Sequence, residues 1–230
     1  MRNFFVLLGM IAAIEMLFMM TVNVALEEAH YSKWVRALVD AGVLAVVCIP
    51  LLFNYQLRPL QMAYRDHLTG LPSRLLFHDR LAQALVVARR EKKNCAVIYL
   101  DLDRFKPVND TYGHRIGDVV LNQVAERICG CVRESDTVAR IGGDEFTVLL
   151  TSIAEATVAE RVVRKIVVEL TRPFEVSGRH IGLGVSAGIA LYPDHGQDGI
   201  ALLDAADDAM YCAKVSNDAD YCFASRNTRT

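Results

Sequence analysis

Two carboxylates stand next to each other at Asp144 and Glu145, directly behind Gly142 and Gly143 and ahead of Phe146. Residues 137–141 and 147–150 flank them as short β-type runs, so the pattern reads as a hairpin with both acids at its tip. Paired glycines tolerate the positive φ of a tight turn and let a ligand approach the backbone without a Cβ in the way. Adjacent like charges repel and do nothing for folding by themselves; they suit a bound cation. A solvated acidic turn would account for the same five residues, and a second cluster argues against it. Residues 95–100 read as a buried strand that runs straight into Asp101-Leu102-Asp103. Side chains alternate along a strand, so Asp101 and Asp103 share a face at its end. If that strand lies beside the hairpin, Asp101 and Asp144 offer the oxygen donors that Mg²⁺ takes, the rest coming from water and phosphate. Lys106, a few residues on, adds a cation for phosphate.

Other landmarks extend the pattern. They are Asp66-His67-Leu68-Thr69-Gly70-Leu71-Pro72-Ser73-Arg74 upstream, Asn109 and Gly113-His114-Arg115-Ile116-Gly117-Asp118 after the strand, and Arg140 before the hairpin. Ser186-Ala187-Gly188-Ile189-Ala190 with Tyr192-Pro193, and Ala209-Met210-Tyr211-Cys212-Ala213-Lys214, complete the series. In this order they resemble the GGDEF family of diguanylate cyclases, from Asp66 to about Lys214. The resemblance implies that the 3′-oxygen of one GTP attacks the α-phosphate of another, giving cyclic di-GMP and pyrophosphate. It implies that Asp101, the backbone carbonyl of Leu102 and Asp144 hold Mg²⁺ or Mn²⁺, two ions per active site. Glu145 would assist deprotonation of the ribose 3′-hydroxyl or hold the second ion. Asn109 and Asp118 would bind the guanine edge, and Lys106 and Lys214 the triphosphate. Gly142 and Gly143 would let the hairpin lie against the nucleotide. Each subunit would hold one GTP, so the reaction implies a homodimer.

Arg133-Glu134-Ser135-Asp136 resembles the family's inhibitory R-x-x-D site for cyclic di-GMP, in which the arginine meets phosphate or guanine and the aspartate accepts guanine N–H groups. An ungapped count offers Arg164 as a second arginine there. The chain departs from the family after Lys214: a Gly-Arg-Asn run is replaced by Val215-Ser216-Asn217-Asp218, which sets Asp218 where a phosphate-facing arginine stands. Ser73 replaces the usual asparagine. The charge reversal keeps an alternative open, a catalytically weak domain acting as a cyclic di-GMP receptor or a membrane-tethered interaction module.

Residues 4–26 are apolar apart from Glu15 and a few small polar side chains. As a helix they would extend roughly 34 Å, enough for a hydrocarbon core of about 30 Å. Residues 34–55 form a second such stretch with Trp34 and Tyr55 at its ends, where interfacial aromatics are favoured. Arg2, Arg58 and Arg65 at the outer ends place both termini in the cytoplasm, so a two-helix anchor in the bacterial inner membrane is expected. The expected organisation is an anchor over 1–57, a linker helix over 58–65 and a catalytic domain over 66–230.

With 25 Lys and Arg against 27 Asp and Glu, the chain has no basic stripe of the kind nucleic-acid binding requires. Its six cysteines show no metal-ligand spacing and read as reduced core thiols. Apolar spacing predicts helices over 74–91, 117–133, 155–171 and 199–215. Strands are predicted over 95–103 and in the motif hairpin, with a second hairpin over 174–190 turning at Ser177-Gly178 and a short strand at 221–223. The fold class is α+β: a ferredoxin-like, nucleotide-cyclase-like sandwich on a mainly antiparallel sheet, preceded by two transmembrane helices.

Overall fold

The computed structural model describes residues 64–216 and 219–225, with isolated helical positions at Met16, Val24, Trp34, Val35, Leu38, Ala41 and Gly42. The stretches expected to cross a membrane, 4–26 and 34–55, lie outside the described residues apart from those positions, and so do Glu15, the linker as far as residue 63, and Asp218. Among the described residues no helix is long and apolar enough to cross a membrane. The chain divides into two compact units, Met1–Gln61 and Met62–Thr230, and every landmark of the sequence pattern falls in the second.

That unit runs α1 (Arg74–Glu91), β1 (Asn94–Asp103), α2 (Phe105–Tyr112), α3 (His114–Cys129), β2 (Thr137–Gly142) and β3 (Glu145–Ile153). It continues through α4 (Ala156–Thr171), β4 (Phe174–Val176), β5 (Arg179–Ile181), β6 (Gly184–Tyr192), α5 (Gly199–Val215) and β7 (Tyr221–Phe223). The central sheet has the order β2-β3-β1-β6-β7. Its pairs are antiparallel except β6 with β7, which run parallel, so the sheet is mixed but mainly antiparallel, and residues 221–223 form its edge strand as expected. β4 and β5 form a separate small hairpin.

β1 is central because residues 95–102 are all buried, which only a strand covered on both faces can sustain. Ile98, Leu100 and Leu102 pack on one side with Val124 and Ile128 of α3 and Val163 and Ile166 of α4. Val97 and Tyr99 pack on the other with Phe77 and Leu81 of α1 and Leu202, Ala206 and Met210 of α5. α5 crosses β6 with no side chain between them: a Cβ on Gly188 would meet the Ala206 carbonyl and the Met210 amide of α5. A larger residue must push the helix off the sheet. Gly188→Val is therefore expected to destabilise the fold by about 3 kcal/mol, seen as a lower urea midpoint at unchanged m-value.

Two elements differ from the sequence reading. The helix expected over 117–133 begins at His114 and ends at Cys129, behind a separate α2. Gly113, at φ 83°, turns the chain between them, and the buried Phe105 and Val108 dock α2. The hairpin expected over 174–190 does turn at Ser177-Gly178, but its return strand ends at Ile181. Residues 184–192 are instead a nearly wholly buried strand, and that apolar run belongs to the central sheet.

Candidate active site

The end of β1 and the tip of the β2–β3 hairpin meet. Asp101 is the register partner of Glu145, and the Leu102 amide donates to the Asp144 carbonyl at 3.2 Å. Asp101 is only 8% exposed, while Asp144 and Glu145 are half-buried. On the β6 side, the Ser186 hydroxyl donates to Asp103 Oδ1 at 2.9 Å, and Gly184 gives Asp103 room that a Cβ would take. Lys214 Nζ, from the last turn of α5, lies 2.7 Å from Asp101 Oδ1. The hydrogen bond to Asp101 outweighs partial burial and, with the charges of Asp101, Asp103 and Asp144, raises the lysine's pKa. α5 also brings Asp207 towards these acids; burial, then Asp208, Asp204 and Asp101, push its carboxyl upward. An open cleft of about 1110 Å³ adjoins the acids, lined by Asp103, Arg104, Ser186, Lys214 and Ser216 among others. Arg104, at φ 58°, turns β1 sharply into α2, so the first amides of α2 follow directly on the acids.

The landmark at 66–74 braces the hairpin. Arg140 donates from Nε and Nη2 to the Gly143 carbonyl at 3.0 and 2.6 Å, and from Nη1 to Asp66 at 3.1 Å. Asp66 also accepts from the Thr69 amide and hydroxyl at 2.8 and 2.7 Å. Burial alone would raise the Asp66 pKa; the bonds from Thr69 and Arg140 overcome it and leave the carboxyl below its ordinary value. Gly143 itself adopts φ 47°, the left-handed conformation expected of a glycine turn.

Asn109 and Asp118 come from α2 and the first turns of α3. Gly117 is buried, and a Cβ there would strike the Asn109 side-chain oxygen. The glycine thus sets where the Asn109 amide sits. If Asn109 reads guanine as the resemblance implies, Gly117→Ala weakens GTP binding about tenfold by calorimetry, the order of one lost hydrogen bond, with the fold retained. Lys106 is exposed on α2.

Among the described residues no three His, Cys, Asp or Glu side chains gather closely enough to hold a metal ion by themselves. The donor set nevertheless fits Mg²⁺. Two carboxylates, Asp101 and Asp144, and the Leu102 carbonyl are all oxygen donors, and Mg²⁺ characteristically binds through one or two carboxylates with substrate phosphates completing the shell.

At the β2 edge, Asp136 accepts from the Arg133 and Thr151 amides, each at 3.1 Å, while the Arg133 side chain is exposed. A cavity of about 420 Å³ beside it is lined by Arg80, Gln83, Glu134, Asp136 and Thr151 among others. Arg80 Nη1 donates to the Thr137 hydroxyl at 3.1 Å. Arg164 is elsewhere, paired with Glu160 at 2.7 Å and over the ring of Tyr221 on β7, at the opposite edge of the sheet. The arginine that shares the cavity with Asp136 is Arg80 of α1, not Arg164. The cysteine reading holds only in part: Cys95 and Cys131 are buried, but Cys129 and Cys212 are exposed.

Residues 63–219 match the family model described as diguanylate cyclase, GGDEF domain. MucR of Pseudomonas aeruginosa, named a bifunctional diguanylate cyclase/cyclic di-GMP phosphodiesterase, is 47% identical over 164 residues, 71% of this chain and 24% of MucR. TpbB of the same organism, named a diguanylate cyclase, is 46% identical over 153 residues, 66% of this chain and 35% of TpbB. The chain thus spans about a third or less of these curated relatives. The crystal structure of the TpbB GGDEF domain matches with a TM-score of 0.67 at 44% identity, over 69% of this chain and 99% of that one. The coiled coil and GGDEF domain of DgcB from Caulobacter crescentus, solved in complex with c-di-GMP, matches with a TM-score of 0.70 at 27% identity, over 84% and 100% of the two chains.

Proposed function

The chain belongs to the diguanylate cyclase GGDEF-domain family, and we propose on that premise that it is itself a cyclase, condensing two GTP into cyclic di-GMP and releasing pyrophosphate at each of two transfers. The observation that carries this reading is the convergence of Asp101, Asp144 and Glu145 at one end of the sheet, with Lys214 placed among them. A domain that had retired from catalysis would have no need of costly clustered acids. Asn109 and Asp118 read the guanine edge as donor and acceptor. Lys106 and Lys214 neutralise phosphate charge, and the exposed Gly142-Gly143 turn lets the hairpin approach the nucleotide. Asp101, Asp144 and the Leu102 carbonyl would hold Mg²⁺, which when bound activates the attacking oxygen and steadies the leaving one. Glu145 takes the proton of the 3′-hydroxyl or assists its loss. The O3′–Pα bond forms as the Pα–O–Pβ bond breaks, so catalysis is mostly positioning and charge neutralisation.

Each subunit supplies one GTP, so the active species is a homodimer with facing sites. Product feeds back at Arg133 and Asp136, beside the cavity that Arg80 lines. The apolar stretches at 4–26 and 34–55 anchor the protein in the inner membrane with the catalytic domain in the cytoplasm. A second reading, a cyclic di-GMP receptor of weak catalytic power, is favoured by one feature: Asp218 reverses a phosphate-binding charge while the Arg133/Asp136 site stays intact. The full chain, incubated with GTP and Mg²⁺ and analysed by chromatography, separates the two. Cyclic di-GMP that disappears in Asp144→Ala supports the cyclase; unreacted GTP beside tight binding of cyclic di-GMP supports the receptor.

A further inference from the structure

Tyr99 lies outside every landmark that marks the site. It stands two residues before Asp101 on β1, only 8% exposed, in the core beneath α1 and α5. Its register partners are Thr147 on β3 and Gly188 on β6, while Asp101 is paired with Glu145. Alternation therefore sets Tyr99, Asp101, Thr147 and Glu145 on one face of the sheet. Gly188 has no side chain and Thr147 a short one, so the ring has room to reach along the strand to the diagonal neighbour. The hydroxyl arrives 3.3 Å from Glu145 Oε2 and donates to it. Thr147 is nearer in register, yet its own buried hydroxyl finds no partner among the described residues. The tyrosine's bond goes to the acid and not to the hydroxyl of its register partner.

A buried phenol needs a partner for its O–H, and the Glu145 carboxylate supplies it at the long end of the hydrogen-bond range. A phenol O–H donates and a carboxylate oxygen accepts, so the direction of this bond follows from the two groups themselves. Glu145 begins β3 immediately after the turn, and its side chain has several torsions free to vary. Tying Oε2 to a central strand narrows the orientations open to the carboxylate.

We propose that Tyr99 is a positioning residue for the transfer reaction, its hydroxyl holding the Glu145 carboxylate in the orientation from which it serves the 3′-hydroxyl. This role rests on the cyclase reading and deepens it. Because Tyr99 is buried beneath the site, losing the hydroxyl should slow turnover and leave nucleotide binding alone.

The test uses the full-length chain with GTP and Mg²⁺ and compares wild type, Tyr99→Phe and 4-aminophenylalanine introduced at position 99. Phenylalanine keeps the ring and removes the donor; the amino analogue restores an N–H donor at nearly the same point. Tyr99→Phe is expected to lower kcat about tenfold at unchanged KM and unchanged thermal midpoint, and the amino analogue to recover most of the loss. A Phe variant with wild-type kcat overturns the role. So does a loss that the amino analogue fails to recover, or one that moves KM and the thermal midpoint along with kcat, because packing would then explain it. Absence of product from the wild type withdraws the cyclase reading and this role with it, a result told apart by the wild-type arm alone.

Discussion

Asparagine at position 101 is expected to lower cyclic di-GMP formation by about a thousandfold, the equivalent of about 4 kcal/mol of transition-state stabilisation. Asp101 is the acid on which the site converges. It is the most buried of the acids at the sheet end, it faces Glu145 across β1 and β3, and it receives Lys214 at 2.7 Å. The amide is isosteric with the carboxylate but carries no charge, so it is a poor ligand for a hard cation and a poor partner for the lysine. Little of the loss should come from unfolding, because the Lys214 side chain is 43% exposed and can turn to solvent. Turnover of Asp101→Asn, with its thermal midpoint measured beside it, separates the two effects. Substantial residual activity would remove Asp101 from the reaction.

Lys214→Met carries the second large effect, and its signs oppose each other. The lysine's ammonium group engages Oδ1 of Asp101, a carboxylate of the proposed metal site, with Asp103 and Asp144 also close enough to raise its pKa. On the proposed reading it is a resident counter-ion of the acid cluster, with which a metal entering without nucleotide competes. Phosphates would give the lysine another partner, so that metal and nucleotide would favour each other's binding. Removing the charge should weaken GTP binding about tenfold and, in the absence of nucleotide, tighten Mn²⁺ binding severalfold, as typical coupling energies allow. Calorimetry for GTP and paramagnetic resonance for Mn²⁺ read the two separately. A variant that loses both affinities together would mean that Lys214 holds the site together and does not compete for it.

The legible parts of this chain were those written in local pattern. The bounds of α1 and α5 follow from apolar spacing over many turns, and both match the structure. The meeting of Asp101 with Asp144 was legible because one acid pair ends an apolar strand and the other tips a glycine turn. The break between α2 and α3 was not, because a single glycine at φ 83° carries it and both flanks read as helix. The assignment of residues 184–192 to the central sheet depends on pairing with β1, which no local signal announces. The brace from Arg140 to Asp66 spans 74 residues, and Arg80 reaches Thr137 across 57. Such contacts are set by register and helix docking, so a spacing count pointed to Arg164, whose helix carries it to the far edge of the sheet. Tyr99 read only as one more apolar residue of β1; its polar end acquires meaning once β3 is laid beside it.

On the proposed reading, two copies of this chain, each holding one GTP, build one molecule of cyclic di-GMP. The most direct test of that reading is the rate of cyclic di-GMP formation per subunit from GTP and Mg²⁺, followed across a range of protein concentrations, with Asp144→Ala as the blank. The expected result is product that is absent from the blank, with a rate per subunit that climbs with concentration and then levels off as dimers fill. No product at any concentration, or a rate per subunit that stays constant down to the most dilute and demonstrably monomeric sample, would contradict it.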